Sequence, residues 1–399
     1  MSSVDVANEV LITGATGILG GWVLRDAREK GYRVSALMRD PGMPEARRRL
    51  QRVVKLVCGD TDLSGIRIVL GDVSEPRLGL SPEDFEALRQ RTGLAIHCAA
   101  SVSFEPRQEE MIRRTNIDGV RHMLDFVAGT DIPLYHVSTA YVSGSRSGIC
   151  RETELDMNQT FNNAYEQSKF ESEHLIREAF TSGAARGAIF RPSIIVGASC
   201  SGKIAQFLNF YGFLKVMDAA RSGRLLKDGY FRVALHPGCT KNLVPVDWAA
   251  AALWRIIEHD GPCGKTYHLT HPEPVLQQSL LEWANTRLNG HEVQVKFVKE
   301  ITQDHSTLER MAKVCLRHYE PYLTTEPYFD RTNTDRALNG SLPFPATDHA
   351  FFDMLYDYAR ENEWQSIFAA GGETGKCTPA AASGALGGDM VGGVCAREA

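Results

Sequence analysis

Tyr165-Glu166-Gln167-Ser168-Lys169 places a phenol and an ammonium four residues apart, on one face of any helix that carries them. Such a pair suits reduction of a carbonyl. The phenol protonates the oxygen as charge develops on it, and the ammonium is expected to draw the phenol's pKa down from about 10 towards neutrality. The chain holds a second pair at the same spacing, Tyr211 and Lys215, so spacing alone does not choose between them. Position does. Tyr165 follows His136-Val137-Ser138-Thr139-Ala140-Tyr141-Val142, whose hydroxyls would emerge at the carboxyl edge of a sheet, where ligands bind in open α/β folds. It precedes Arg191-Pro192-Ser193, where a further strand would return to that edge. Tyr211 stands instead among Phe207, Phe210 and Phe213, a stripe that reads as core or substrate wall. Tyr141 reads equally as a substrate contact or a packing aromatic, and His97 as structural.

The source of reducing equivalents is written near the start. Val10-Leu11-Ile12 is an apolar run that ends in Thr13-Gly14-Ala15-Thr16-Gly17-Ile18-Leu19-Gly20 and then opens a helix. Gly14 permits the tight turn, and the missing side chains at Gly17 and Gly20 let backbone approach a pyrophosphate on the positive helix end. Gly14, Thr16, Gly17, Ile18, Leu19 and Gly20 are therefore expected to cradle a dinucleotide, whose nicotinamide charge would add to that of Lys169 on the tyrosine. The second strand ends Met38-Arg39, with Asp40 only afterwards. An arginine there suits the 2'-phosphate of NADPH, where an acid would suit NADH. NADPH is expected.

These groups need a frame. Strand-like runs at Arg33 to Met38, Ile66 to Leu70, Leu94 to Cys98, Leu134 to Val137 and Ala188 to Phe190 alternate with helical segments. Those segments are Ile18 to Lys30, Glu45 to Val57, Pro82 to Gln90, Glu109 to Ala128 and Tyr165 to Thr181. The alternation predicts an α/β fold, a Rossmann doubly wound parallel sheet covered on both faces. After Gly197 the rhythm breaks. Lys203 to Met217 is expected to be helical, Asn242 to Val246 and Thr266 to Leu269 to be strands, and the stretch beyond Pro272 to be helical. This divides the chain into a nucleotide-binding domain (8–200 and 236–272), a smaller, mostly helical C-terminal substrate-binding region (201–235 and 273–368), and a Gly/Ala/Ser-rich tail, 370–399, expected to be disordered.

Of the 399 residues, 43% are hydrophobic and 23% charged, ordinary for a soluble globular chain, and a net charge of -5 gives no reason to expect a nucleic acid partner. No apolar run of 18 residues suggests a membrane span, and no basic and apolar leader precedes the first strand. Nine scattered cysteines, none in Cys-x-x-Cys spacing, argue against a metal site or a disulfide framework and fit the cytoplasm. The oligomeric state is not legible.

The spacing Gly-x-x-Gly-x-x-Gly, rather than Gly-x-Gly-x-x-Gly, resembles the extended short-chain dehydrogenase/reductase superfamily. Gly71-Asp72-Val73-Ser74-Glu75-Pro76-Arg77-Leu78-Gly79-Leu80-Ser81 resembles the signature of its fatty acyl-CoA reductase and thioester reductase branch. His97 to Phe104, Thr115 to Gly119 and Asn242 to Asp247 are similar to stretches of that branch, and the resemblance runs over about residues 8 to 270. It implies a triad of Thr139, Tyr165 and Lys169, with Thr139 aligned by counting back from Gly144 and Ser138 as its rival. It also implies Asp72 and Val73 beside the adenine, Ala99 and Ala100 along the ribose, and Pro192 and Ser193 at the nicotinamide. The substrate implied is an acyl thioester on coenzyme A or an acyl carrier protein, reduced to an aldehyde and in some members on to an alcohol. Ala205 to Met217 and the cluster Tyr319, Pro321, Tyr322, Tyr328 and Phe329 would line its channel, although core packing explains both as well. A keto- or hydroxysteroid-type reductase, a sugar epimerase or dehydratase, and a redox-sensing regulator are the alternatives. Arg39 weighs against the epimerase, and the intact triad against the sensor.

Overall fold

In the computed structural model, the described residues are 9–39, 42–223, 225–226, 229–234, 236, 238–289, 293–303 and 306–368. The tail expected to be disordered lies outside them, apart from which the whole alternating pattern can be followed.

Seven strands form one parallel sheet: β1 (Glu9–Thr13), β2 (Arg33–Met38), β3 (Ile66–Leu70), β4 (Leu94–His97), β5 (Leu134–Val137), β6 (Gly187–Pro192) and β7 (Thr266–Leu269). Their spatial order is β7-β6-β5-β4-β1-β2-β3. The chain builds outward from β1 through β2 to β3, then crosses back to place β4 on the other flank of β1. At this reversal the carboxyl ends of β1 and β4 splay into a crevice. Thr13 pairs with Leu37 on one side and His97 on the other, so the glycine turn leaves the sheet at the switch point.

The crossovers are helical: α1 (Ile18–Glu29), α2 (Met43–Cys58), α3 (Pro82–Arg91), α4 (Glu109–Arg113), α5 (Gly119–Val127) and α6 (Ala164–Thr181). The single helix expected over Glu109 to Ala128 is interrupted by a π turn at Arg114–Asp118. The widened turn pushes Asn116 inward, where it is 1% exposed. Its Oδ1 accepts from Ser101 N (2.7 Å), while its Nδ2 donates to the Ser101 carbonyl (3.0 Å) and to Ser168 Oγ (2.8 Å). One side chain thus ties the loop after β4 to α6. Such turns within helices are frequent at functional sites for this reason.

Arg77, Leu78 and Gly79, within the run from Gly71 to Ser81, all have positive φ (54°, 59° and 71°). The backbone curls until Asp72 N donates to the Leu78 carbonyl at 2.8 Å and Leu78 is fully buried. A Cβ on Gly71 would lie 2.4 Å from that carbonyl, which explains the glycine. The motif is a closed loop that presents Asp72 and Val73 at the end of β3.

Beyond β6 come α7 (Phe210–Ala220), α8 (Val246–Asp260), α9 (Gln277–Leu288), α10 (Thr307–Leu316), α11 (Glu320–Thr324), α12 (Thr332–Leu338) and α13 (His349–Glu361). Two expectations need correction here. Lys203 to Asn209 is not helical. Asn209 sits at φ 52° before α7, and the preceding carbonyls bond elsewhere, Lys203 to Ala198 N and Ala205 to Ile367 N. Although the C-terminal region is mostly helical as expected, the stretch beyond Pro272 is not helical throughout, since Gln294–Val298 forms a parallel ladder with Tyr230–Ala234. Their alternating burial was present in the residues but too short to stand out.

The core of this region gathers Tyr211, Met217, Phe231, Trp283, Phe352 and Tyr356. The α12 residues Ala337 and Leu338 instead join the core around α1 and Trp254 of α8. Beneath the sheet edge, the fully buried Glu173 of α6 accepts from Arg191 of β6 through Nε (3.0 Å) and Nη2 (2.6 Å), and from Arg177 (2.9 Å).

Candidate active site

Two cavities open at the carboxyl edge of the sheet and meet. The first is a groove bordered by all of the cofactor residues expected from sequence: Gly14, Thr16, Gly17, Ile18, Leu19, Gly20, Arg39, Asp72, Val73, Ala99, Ala100, Pro192 and Ser193, with Tyr165 and Lys169 at its inner end. It also takes in residues that sequence reasoning did not single out, among them Arg49, Ser101, Thr115, Gln206, Asn209 and Phe368.

Its floor fits a dinucleotide. Gly14 has φ 71°, and a Cβ there would meet Ala99 N at 2.7 Å, while a Cβ on Gly20 would strike the Gly14 carbonyl at 2.1 Å. Helix α1 starts at Gly17 with no side-chain cap and no acid in its first turn, so its leading amides are left for an anion. Asp72 borders the groove, and its Oδ1 accepts from Ser74 N (2.9 Å) and Ser74 Oγ (2.8 Å), so it also fixes the turn after β3.

The second cavity is apolar, with about 1090 Å³ of empty space counted out to its mouth. Phe104, Phe210, Phe213, Leu280, Tyr319 and Tyr322 are among its walls. Of the two stretches proposed as a channel, Phe210 and Phe213 face it, but Tyr211 is buried in the core with its hydroxyl on Gly197 N (2.9 Å). Phe329 is likewise core, and Tyr328 is exposed. Phe104 was missed. It lies 5.9 Å from the Tyr165 ring and 5.5 Å from that of Tyr319, bridging the two halves of the site.

Among the described residues, Thr139, Tyr165, Ser193 and Asn209 border both spaces. Asn163 caps α6 by accepting from Glu166 N (3.0 Å), which fixes Tyr165 in the first turn of the helix. Thr139 is hydrogen-bonded to the Tyr165 phenol, and its Oγ1 lies 3.4 Å from the Pro192 carbonyl oxygen. Its neighbour Ser138 is turned towards Glu173 instead, as strand alternation requires. Ser193 donates to Asn242 Oδ1 at 2.6 Å. Tyr141 is half-buried and gives its hydroxyl to Glu326 at 2.7 Å, so it packs and bonds as a wall residue.

Electrostatics correct one expectation. Burial pushes the Tyr165 phenol up to about 12, opposed by its bond to Thr139, and Lys169 is not among the groups that move it. The phenol therefore stays protonated across the physiological range. Lys169 carries the shift instead: burial lowers its ammonium to about 8, countered by Glu173 and Cys98. Its Nζ donates to the Val137 carbonyl (2.7 Å) and lies 3.4 Å from His136 Nε2. His136 stacks on His97 with ring centroids 5.4 Å apart, and burial keeps both imidazoles neutral. His97 in turn meets Thr13 Oγ1 at 2.7 Å, in line with a structural role.

Residues 12–253 match the model of a nucleotide-binding family described as male sterility protein. A nonribosomal peptide synthetase of Aspergillus flavus is 30% identical over 284 residues, which is 67% of this chain and 26% of that protein. The chain spans between 22% and 36% of the length of the first curated relatives. Among solved structures, the terminal R domain of the myxalamid PKS-NRPS biosynthetic pathway superposes with a TM-score of 0.77 at 23% identity, covering 92% of this chain and 93% of that one. A thiolation-reductase di-domain from an archaeal non-ribosomal peptide synthetase gives 0.72 at 21% identity, covering 90% and 76%. At these identities the likeness shows a shared fold. No helix among the described residues is long and apolar enough to cross a membrane.

Proposed function

The chain belongs to the male sterility protein family of NAD-binding proteins, and from that premise we propose that it is an NADPH-dependent reductase of acyl thioesters, yielding the aldehyde and a free thiol. The observation that carries this reading is the junction of a glycine-floored groove and an apolar cavity at Thr139 and Tyr165. Relatives whose names describe a peptide synthetase and a thiolation-reductase pairing support a thioester as the substrate. A carrier protein is the favoured bearer of the acyl group, with coenzyme A as the other, and free thiols at Cys58, Cys98, Cys150, Cys200, Cys239 and Cys263 suit a reducing cytoplasm.

When bound, the nicotinamide supplies hydride to the thioester carbonyl carbon. The chain's own groups do the rest. Thr139 and Tyr165 donate to the oxygen as negative charge builds on it, and Tyr165, protonated because of its burial, is the acid. Lys169 is held by Val137 and His136 at the groove's inner end, where its ammonium can hold the ribose and keep the dinucleotide in register. The carbon–sulfur bond then breaks as Tyr165 takes the hydroxyl proton back and the carbonyl re-forms, and the sulfur leaves as thiolate that water protonates to the free thiol. Phe104, Phe210 and Phe213 exclude water from that carbon and seat the acyl chain.

One thiol should appear for each NADPH consumed in the first reduction of a long-chain acyl-CoA, read with a thiol reagent alongside the loss of NADPH absorbance. Reduction of a ketone with no thiol released from any thioester would defeat the assignment. A second expectation concerns pH. The Lys169 ammonium is present below about 8 and is lost above it, so kcat/KM for NADPH should be level below pH 7 and fall as pH rises through 8. The limb should vanish in Lys169→Met. A profile still flat at pH 10 would remove Lys169 from the cofactor site.

A further inference from the structure

Helix α2 carries three successive arginines, and the structure treats them differently. Arg47 and Arg48 are exposed, with Arg48 paired to Glu45 at 3.0 Å. Arg49 is half-buried and turns into the cofactor groove, the same groove that Arg39 borders from the end of β2. Among the described residues, neither Arg39 nor Arg49 has a carboxylate partner, although the surface around them is rich in ion pairs. Two guanidiniums without counter-ions on one groove mark a place for an anion.

Arg49 does have one neighbour, and it comes from the other end of the chain. Its guanidinium carbon lies 5.5 Å from the ring centroid of Phe368, within cation–π range. Phe368 borders the groove too. The ring is fixed from behind, because Ile367 N and Ser366 Oγ both donate to the Ala205 carbonyl at 3.2 Å and Phe368 N donates to Ser366 Oγ at 3.2 Å. Ala205 belongs to the irregular segment before α7 whose Gln206 and Asn209 border the same groove. The C-terminal region thus reaches back to hold a side chain of α2.

We infer that Arg49, braced by the face of Phe368, joins Arg39 in binding the 2'-phosphate of NADPH, so that the cofactor site is completed from the substrate-binding region. This rests on the NADPH reading above. Arg49 is the binding group, and Phe368 is a positioning residue that limits where the guanidinium can point. A bound phosphate makes charge-assisted bonds that a free hydroxyl cannot, so loss of either residue should erode the discrimination between NADPH and NADH rather than dinucleotide binding as a whole.

Titration of the full chain with NADPH and NADH, followed by tryptophan fluorescence or calorimetry without substrate, tests this. Arg49→Ala should weaken NADPH about tenfold or more and leave NADH within about twofold. Phe368→Ala should weaken NADPH about threefold to tenfold in the same selective manner, and Phe368→Tyr should restore it. Adenosine 2',5'-bisphosphate should bind more tightly than AMP and than adenosine 3',5'-bisphosphate. Equal binding of the two bisphosphates would mean a general phosphate site, such as one for the coenzyme A nucleotide, and would overturn the inference. An unchanged NADPH/NADH ratio in both variants, while Arg39→Ala remains selective, would overturn it and leave the NADPH reading standing. A wild-type chain with no preference for the 2'-phosphate would remove both together.

Discussion

Replacing Tyr165 with phenylalanine should lower kcat about a thousandfold while changing the NADPH dissociation constant by less than about twofold. The substitution deletes one oxygen from a ring held by the α6 cap at Asn163 and by Phe104 at 5.9 Å, so the ring has no reason to move. What disappears is the phenolic proton at the junction of groove and cavity, in place at neutral pH because desolvation holds the phenol up to about 12. Thr139 remains to donate one hydrogen bond to the developing oxyanion, which leaves a residual rate and not zero. Stopped-flow absorbance with saturating NADPH and acyl-CoA reads the first quantity, and fluorescence titration the second. Turnover within about tenfold of wild type would take the acid's role away from Tyr165.

Glu173→Ala should cost about 3–5 kcal/mol of stability. Glu173 stands one turn after Lys169 and accepts three bonds, two from Arg191 and one from Arg177, with no exposure of its own. Removing it leaves two guanidiniums facing each other, one of them Arg191 at 2% exposure, with no anion between them. Arg191 immediately precedes Pro192 and Ser193, so the repulsion would be felt at the nicotinamide end of the groove as well. A urea titration should show a lower midpoint at unchanged slope. A loss below about 1 kcal/mol would mean that the pocket relaxes or admits water.

Much of this site could be read from the chain because its parts are local. The glycine turn joins an apolar strand to a helix within a dozen residues, and Tyr165 and Lys169 share one helix face whatever surrounds them. The residues that escaped notice act only through tertiary neighbours. Phe104 matters because a loop brings it over Tyr165, and Arg49 because a segment more than 300 residues later reaches it. The π turn was invisible for a different reason: one extra residue in a helix barely disturbs the apolar spacing, although it redirects Asn116. The direction of the Tyr165 shift was misjudged because sequence displays the charge four residues away but not the depth of the pocket. In that pocket desolvation raises the phenol, and the ammonium is not among the groups that move it.

Among the described residues, the two cavities touch at four side chains, Thr139, Tyr165, Ser193 and Asn209. Most of the remaining acyl-facing walls, from Phe210 to Leu323, come late in the chain, whereas the nucleotide floor is laid down in its first hundred residues. Most of the apolar walls therefore lie apart from the glycine floor. Under the proposed reading, the range of acyl groups accepted would be set largely by residues 210–323, most of them away from the groups that carry the reaction.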